Sequence, residues 1–347
     1  MEIFFIDYHD PLFSIIILFL IIFIISFASY WWTVYKHKEE KNQIKNFIKK
    51  FESDRDLLEY KMVAENQNIS LESIILIALL HERKGDYDKA IEIYLLLLER
   101  AKDKEEKNQI FTMLGKLYFK AGFLQRSETT FLEGIKISPR NKKALNYLIV
   151  IYEKLRKYDK AIEILNVLEE LNVDIKKQRK YIEALDIIST AKSDYQTKKS
   201  KLLQICNENK IIQRVLFEFL GRNEKEIKFK EIENFDFYKL VDLIWYLPKE
   251  RIYLGNVKNS ALFEILSARG IIDKEKKSAV FELDLLICLN SSKENKKADL
   301  RFEYICKECK EVFPIFFYRC PNCYTFDSAQ TIPMIVKKED EKNKYIY

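Results

Sequence analysis

The longest apolar run in the chain lies near its N-terminus, where residues 12–32 read LFSIIILFLIIFIISFASYWW. No charged residue interrupts the run, and a membrane-spanning helix needs about 20 predominantly apolar residues. Pro11 suits the first turn of such a helix, and the closing tyrosine and tryptophans favour the bilayer interface. The pattern therefore predicts a transmembrane helix over residues 11–32.

Two other interpretations of this run are a buried core helix and a cleaved signal peptide. A core helix is rarely so long and so uniformly apolar, and a signal peptide begins with basic residues. Residues 1–10 instead carry Glu2, Asp7 and Asp10 and no lysine or arginine. We therefore expect an uncleaved anchor.

The lysines after the run set its expected orientation. The first basic residue of the chain is Lys36, and the segment KHKEEKNQIKNFIKK supplies six lysines immediately after the predicted span. Because lysine and arginine beside a span stay in the cytoplasm, we expect the short N-terminus outside and the bulk of the chain inside. We therefore expect a single-pass protein of the cytoplasmic membrane, whose helix contacts lipid and whose lysines meet anionic headgroups.

Beyond the span, the apolar positions recur at helical spacing and then in a longer repeat. The heptapeptide YDKAIEI occurs at residues 87–93 and again at residues 158–164. Between them, MLGKLYFKAGFLQRSETTFLEGIKISPRN provides an intermediate copy at residues 113–141. A period near 34 residues is typical of tetratricopeptide repeats, which pair two antiparallel helices. Several copies must stack to bury their apolar faces.

Helical patterning continues after the clear repeats, although the repeat itself fades. KLLQICNENKIIQRVLFEFLG and FYKLVDLIWYLP each have the pattern of an amphipathic helix, and SALFEILSARG has another with Gly270 as a C-cap candidate. We interpret residues 176–290 as degenerate repeats and the aromatic residues between 229 and 254 as core. The fold class predicted is an all-α solenoid, except for a small C-terminal β-hairpin domain.

That exception contains two Cys-x-x-Cys pairs, formed by Cys306, Cys309, Cys320 and Cys323. Two such turns can complete a sulfur tetrahedron, the coordination of structural zinc. The ten-residue insert KEVFPIFFYR suffices for a β-hairpin with Pro314 near its bend. A reducing compartment disfavours disulfides, and a dithiol redox pair is the other alternative. We expect one structural metal ion, and we favour zinc over iron, although sulfur tetrahedra accept both metals.

Composition offers little chemistry beyond these sulfurs. The chain has three histidines, seven glycines, six prolines and a net charge of +6 from dispersed residues. Catalytic triads, glycine-rich phosphate loops and His-Glu-x-x-His zinc helices have no counterpart in the sequence. We therefore predict no enzymatic activity, no catalytic or cofactor-binding residues and no nucleic-acid partner.

An N-terminal anchor, tetratricopeptide repeats and a CKEC…CPNC finger together resemble the lipopolysaccharide assembly protein B (LapB) family. The finger resembles the rubredoxin-like metal domain of that family, including Pro321 within the second pair, although Lys310 stands where the family usually has glycine. The resemblance implies that the four cysteines are metal ligands and that the finger docks on the solenoid of repeats.

The resemblance also implies a role as a cytoplasmic adaptor at the inner membrane. Members of the family promote degradation of the LpxC deacetylase by the FtsH protease and contact lipopolysaccharide assembly components. A general tetratricopeptide scaffold for another cell-envelope complex is the alternative. From repeat register, the positions expected to line a partner groove are Glu72, Ile75, Lys116, Phe119, Asn146 and Glu153.

The sequence thus predicts the following divisions of the chain. They are a periplasmic N-terminus (1–10), a transmembrane helix (11–32), a juxtamembrane helical segment (33–67), clear tetratricopeptide repeats (68–175), degenerate helical repeats (176–290), a linker (291–300), a four-cysteine zinc-ribbon or rubredoxin-like domain (301–333) and a charged tail (334–347).

Overall fold

The structure of the protein is a computed structural model. The residues it describes are 19–32, 70–191, 193–273, 277–291 and 298–337. The predicted N-terminus (1–10), the juxtamembrane segment (33–67) and the end of the charged tail (338–347) lie outside the described residues.

Helices make up most of the described chain, and a small sheet lies near its C-terminal end. The helices are α1 (residues 19–32), α2 (Leu71–Lys84), α3 (Tyr87–Arg100), α4 (Lys104–Lys120), α5 (Leu124–Ile137), α6 (Lys142–Lys154), α7 (Tyr158–Glu170), α8 (Lys176–Ser189), α9 (Tyr195–Glu208), α10 (Ile212–Asn223), α11 (Val241–Trp245), α12 (Ser260–Ala268) and α13 (Phe281–Ser291). The strands are β1 (Ile227–Lys228), β2 (Ile252–Tyr253), β3 (Ala298–Cys306), β4 (Val312–Phe313) and β5 (Ala329–Lys337).

The chain divides into two compact units, Met1–Tyr147 and Leu148–Tyr347, and the division falls within α6. Helix α1 belongs to the first unit and carries large apolar side chains that are exposed, up to 74% for Trp32. Within the described ranges, no helix is both long and apolar enough to cross a membrane. Residues 11–18 of the predicted span lie outside those ranges.

In the first unit, helices α2 to α5 form two helix–turn–helix pairs with the same turn. Gly85 ends α2 and Gly122 ends α4, each with a φ of +83°. In each turn the glycine N–H donates to the carbonyl three residues back, and the next N–H donates five residues back. This left-handed ending favours glycine because a side chain is strained there. The two turns thus have the same backbone conformation, as the tetratricopeptide pattern predicts.

The core of this unit is built from small and large residues that face each other across the paired helices. Ala78 and Ala90 are fully buried, and the rings of Tyr94, Phe111 and Tyr118 are at most 2% exposed. Polar side chains cap the N-termini of two of these helices. The side-chain oxygens of Ser70 and Asp103 accept hydrogen bonds from backbone N–H groups in the first turns of α2 and α4. The spacing of apolar residues in the sequence therefore becomes a shared interior between helices.

Helices α4 and α5 approach each other closely at Gly115. A Cβ atom added there would lie 2.8 Å from the Phe131 ring, which is fully buried. The hydroxyl of Ser127 also donates to the Gly115 carbonyl over 2.7 Å. Only a residue without a side chain fits between these helices.

The first prediction concerns this contact. Gly115→Ala should lower the unfolding free energy by about 1–3 kcal/mol, because overpacking a filled core forces side chains off their rotamers. Thermal unfolding followed by circular dichroism would measure the loss.

Gly221→Ala is the matched control, because a Cβ on this helical glycine in α10 would meet nothing within 4 Å. Replacing a helical glycine by alanine in open space should leave stability equal or raise it by up to about 1 kcal/mol. An equal effect of the two substitutions would contradict the packing argument.

The second unit begins with the end of α6 and continues the helical pairing through α7 and α8. The turn between α6 and α7 repeats the hydrogen bonds seen at Gly85 and Gly122, but Arg156 occupies the left-handed position with a φ of +57°. The expectation of one helix in KLLQICNENKIIQRVLFEFLG is corrected, because α9 ends at Glu208 and α10 starts at Ile212.

The chain after α10 departs from paired helices. Residues 224–259 contain the 3₁₀ helices Phe229–Ile232, Phe237–Leu240 and Lys249–Arg251, the five-residue α11 and the short parallel pair β1–β2. Phe229 and Phe237 are fully buried, as expected for core aromatic residues, but the expectation is corrected for Tyr246 and Tyr253, which are 64% and 53% exposed. Gly270 follows α12 with a φ of +69° and so takes the predicted capping conformation.

The finger, residues 298–337, is a three-stranded antiparallel sheet with the order β4-β3-β5. Its long ladder joins β3 to β5 over nine residue pairs, from Ala298–Lys337 to Cys306–Ala329. The sequence predicted a hairpin within the insert between the cysteine pairs, and this expectation is corrected. The short pairings instead flank each cysteine turn, Tyr304–Phe313 around the first and Arg319–Phe326 around the second. The predicted linker and domain ends also shift, because β3 already starts at Ala298.

Candidate metal centre

The four cysteine sulfurs meet at one point of the finger. Cys306 ends β3, Cys309 follows in the first turn, and Cys320 and Cys323 lie in the second. All four sulfur atoms lie within 4.8 Å of one another, with the pairs Cys306–Cys323 and Cys309–Cys320 at 3.6 Å. The sequence predicted this grouping, and the fold brings the four residues together.

These distances suit a tetrahedral metal site. Metal–sulfur bonds of about 2.3 Å give a tetrahedron whose edges are about 3.8 Å long. A disulfide requires sulfur atoms about 2.05 Å apart, so the observed separations do not correspond to disulfides, and all four thiols are free. The four cysteines can therefore hold one metal ion, which would fix the two turns to each other.

The two cysteine turns are built in the same way. In the first, the Lys310 N–H donates to the Cys306 carbonyl over 3.0 Å, and in the second the Tyr324 N–H donates to the Cys320 carbonyl over 3.0 Å. Lys310 and Tyr324 both have a left-handed φ, +62° and +59°. This conformation explains physically why glycine is favoured after the second cysteine of such a turn. The chain accepts a side chain at both positions.

Polar groups around the sulfurs shift the pKa values of the thiols. Burial raises the pKa of Cys306, but hydrogen bonding with the Ser328 hydroxyl and with backbone N–H groups outweighs burial and lowers this pKa. Burial raises the pKa of Cys320. A bound metal ion would favour the thiolate form at every ligand, since coordination deprotonates thiols.

The finger docks on the helical part of the second unit through a buried ionic contact. Asp242 of α11 is 2% exposed and accepts two hydrogen bonds from the Arg214 guanidinium of α10, at 3.0 and 2.5 Å. The Tyr304 hydroxyl of β3 donates to the same carboxylate over 2.7 Å. The Arg214 guanidinium also lies 3.5 Å from the centre of the Phe316 ring. Asp242 and Arg214 therefore join helices and finger.

A second contact holds the end of the finger that carries the second cysteine turn. Arg319 forms an ion pair with Glu153 at 3.0 Å, and both side chains are less than 20% exposed. Beside it, the Tyr181 ring of α8 lies 4.9 Å from the ring of Tyr318 and 5.1 Å from that of Phe326. An exposed ion pair between Lys177 and Asp327 lies at the edge of this contact.

The sequence patterns alone do not identify these docking residues. A weak signal existed, because Arg214 and Asp242 are charged residues of opposite sign within apolar runs. Charged residues are rarely buried unless they are paired. Sequence alone could not show which charge pairs with which.

The predicted groove positions are only partly on the surface. Glu72 and Asn146 are exposed and Lys116 is partly exposed. The expectation is corrected for Ile75 and Phe119, which are 6% and 5% exposed and belong to the apolar core.

Glu153, the remaining groove candidate, is already bound by Arg319 of the finger. A partner at that position would have to displace an arginine. The sequence register alone could not reveal this, because the finger follows Glu153 by more than a hundred residues along the chain.

Comparison with known proteins supports the repeats. Residues 73–107 and 112–172 each match a family model described as tetratricopeptide repeat. These segments correspond to the helix pairs α2–α3, α4–α5 and α6–α7, so the predicted repeats are confirmed, and the chain contains tetratricopeptide repeats of a kind that generally mediate protein–protein interactions.

Comparisons over the whole chain are less informative. A search of curated proteins gives no match. Among solved structures, the chain is similar to BtubC (BKLC) from P. vanneervenii, with 16% sequence identity, a TM-score of 0.29 and coverage of 73% of this chain and 89% of that one.

The second prediction tests the cysteine cluster. Cys306→Ser should remove bound metal and expose the amides of β3 and β5 to hydrogen exchange, because a finger of this size depends on its metal for folding. Elemental analysis and hydrogen exchange on the same sample would measure both effects.

Cys288→Ser is the matched control, since Cys288 is an exposed free cysteine outside the cluster. It should retain both the metal and the protection of the sheet. A Cys306→Ser protein with unchanged metal content and unchanged exchange would refute the assignment of this ligand.

The third prediction concerns the buried docking contact. Asp242→Asn should lower the unfolding free energy of the second unit by about 3 kcal/mol, because it leaves the Arg214 cation buried without its main partner. Fluorescence of Trp245, whose indole N–H donates to Asp299 of β3, would report the transition in a Trp31→Phe/Trp32→Phe background.

The control for this experiment is Asp327→Asn. Its ion pair with Lys177 is exposed, with side chains 63% and 40% accessible, and such pairs contribute less than about 1 kcal/mol. Asparagine also tolerates the left-handed φ of +56° at this position. Equal losses for the two variants would show that burial of the Asp242 pair is unimportant.

Proposed function

We propose that the protein is an adaptor anchored in the inner membrane that regulates lipopolysaccharide biosynthesis. In this role its repeats and finger face the cytoplasm and bring the LpxC deacetylase to the FtsH protease. The observation that carries the adaptor part of the proposal is the pair of tetratricopeptide matches at residues 73–107 and 112–172, because such repeats form surfaces for binding other proteins.

The order of parts along the chain supports the more specific role. An apolar N-terminal segment, the repeats and a four-cysteine finger follow in the arrangement that resembles the LapB family. A span over residues 11–32 would confine the repeats to the membrane surface and raise their effective concentration near a membrane protease. The exposed apolar side chains of α1 suit contact with lipid.

The metal ion in this proposal has a structural role, and zinc is favoured over iron. All four ligand positions are cysteine sulfurs, so a tetrahedral ion there would have no open position for water or substrate. Its contribution would be to fold the finger that rests on α8, α10 and α11. We therefore propose that the adaptor has no catalytic activity of its own.

Depletion of the protein in its source cells provides the fourth prediction. We expect the half-life of the deacetylase to lengthen and lipopolysaccharide to rise, because an adaptor that delivers a client to a protease shortens the client's lifetime. Pulse-chase labelling of the deacetylase would measure the effect. Re-expression of the Cys288→Ser protein should restore the short half-life, and re-expression of the Cys306→Ser protein should not.

A general scaffold for another envelope complex is the second candidate, favoured by the same repeat match. It predicts an unchanged deacetylase half-life and a different set of partners in a crosslinked pull-down from intact membranes. That pair of results would refute the specific role and leave the scaffold. Metal analysis of the same preparation would distinguish zinc from iron.

A further inference from the structure

A cleft of about 430 Å³ lies within the second unit, where the finger meets the helices. One wall comes from the start of α8, the loop before α10 and the residues before α11. The other wall comes from the finger. The segments that contribute are residue 177, residues 209–211, 213–214 and 238–240 on the helical side, and residues 307, 316–318, 327 and 329–331 on the finger side.

The lining of this cleft is strongly cationic. Its charged members are Asp327 and five cations, which are Lys177, Lys210, Arg214, Lys239 and Lys307. All of these residues lie in one compact unit. The potential in the cleft should therefore be positive and should favour an anionic ligand.

Within the part of the chain that the structure describes, three of the cations form ion pairs and two do not. Lys177 is paired with Asp327, Lys239 with Asp236 and Arg214 with Asp242. Lys210 and Lys307 are exposed, and their ammonium groups have no carboxylate partner among the described residues. They stand on opposite walls, because Lys210 precedes α10 and Lys307 follows Cys306 in the finger.

The remainder of the lining is apolar or offers backbone groups. Ile211 and Phe316 are partly exposed and contribute apolar surface, whereas Leu240 and Phe317 are buried, at 1% and 7% exposure. The cleft also reaches residues 330–331 at the start of β5, which is an edge strand in the described sheet. Alternate residues of an edge strand direct main-chain N–H and C=O groups away from the sheet. The cleft thus combines separated cations, apolar surface and a strand edge.

We propose that this cleft binds an acidic peptide segment of a partner protein. Carboxylates of the segment pair with Lys210 and Lys307, and an apolar side chain between them lies against Phe316, which is partly exposed. A phosphate group fits the lining less well, because the only guanidinium fork, that of Arg214, is already engaged by Asp242. Lysines spread over separate elements match charges spread along a peptide.

The site depends on the finger being docked. Because Lys307 is adjacent to a metal-ligand cysteine and the finger supplies a whole wall, loss of the metal should abolish the cleft as well as the finger. The inference does not require the deacetylase or the protease named above. It concerns a surface separate from the predicted groove residues of the repeats, so failure of either proposal leaves the other intact.

The experiment, which is the fifth prediction, uses the full chain purified in detergent and fluorescence anisotropy. The probe is a short fluorescein-labelled peptide of alternating glutamate and phenylalanine, and its partner probe has glutamine in place of glutamate. We expect the protein to bind the glutamate peptide, and we expect its affinity for this peptide to fall with added salt, since exposed charges are screened. The glutamine peptide should bind at least about tenfold more weakly, which corresponds to about 1.4 kcal/mol.

The variant Lys210→Glu/Lys307→Glu should lower the affinity for the glutamate peptide by about tenfold or more, because two attractive contacts become repulsive. Lys201→Glu/Lys225→Glu is the matched control, with the same change in net charge at exposed lysines outside the cleft. It should bind like the unmodified protein. Circular dichroism and metal content establish that both variants are folded.

Three results would overturn the proposal. The first is an equal loss for the two double variants, which indicates nonspecific charge. The second is equal binding of the glutamate and glutamine peptides. The third is binding of tripolyphosphate or a single-stranded oligonucleotide through Lys210 and Lys307 without binding of the glutamate peptide, which identifies a phosphate site instead. The variant Lys210→Gln/Lys307→Gln should show an intermediate loss if the contacts are electrostatic.

Discussion

The buried carboxylate of Asp242 is the interaction on which the second unit depends. A charge so deeply buried must be paired and hydrogen-bonded, or it destabilises the fold strongly. Its partners come from two distant parts of the sequence, Arg214 in α10 and Tyr304 in β3. The pairing therefore specifies where the finger rests on the helices. Neutral replacements could fill the same space, but they would not select this arrangement as sharply.

The four cysteines support this docking by stabilising the fold of the finger. A three-stranded sheet of 40 residues buries little apolar surface of its own, and small domains of this kind usually need a metal or disulfides. A bound metal would supply folding energy, on the order of 10–16 kcal/mol in zinc-finger peptides. Because Tyr304 lies two residues before Cys306 in β3, the metal would also hold the hydroxyl that reaches Asp242. Metal binding and docking are thus physically linked.

Docking of the finger also creates the cleft proposed as a binding site. Docking brings Lys307 of the finger opposite Lys210 of the helical wall, and neither element alone has a two-sided site. Ion pairs occupy Arg214, Lys177 and Lys239, and Lys210 and Lys307 are the two cations of the cleft that have no carboxylate partner among the described residues. The cationic side chains of the cleft therefore have two roles. Arg214, Lys177 and Lys239 form ion pairs within the protein, and Lys210 and Lys307 are proposed to bind the acidic segment.

The sequence by itself determined the elements whose signals are local. The helix–turn–helix period, the glycine endings at Gly85 and Gly122 and the two cysteine turns all follow from residues close together in the chain. Even the unusual position of Lys310 has a local cause, a left-handed φ that the tight turn imposes. The four cysteines are close together in the chain, so the grouping of their sulfur atoms could be predicted from the sequence.

Only the tertiary structure decided what depends on distant pairing. The β3–β5 ladder is found in place of the hairpin expected from the insert, because β5, which follows the second cysteine turn, pairs with β3 over nine residue pairs. Repeat register placed Ile75 and Phe119 on a groove, whereas neighbouring helices bury them. The pairing of Glu153 with Arg319, and of Arg214 with Asp242, joins residues far apart in sequence. Local patterns contain no information on such partners, since a charge in an apolar run shows only that a partner is required.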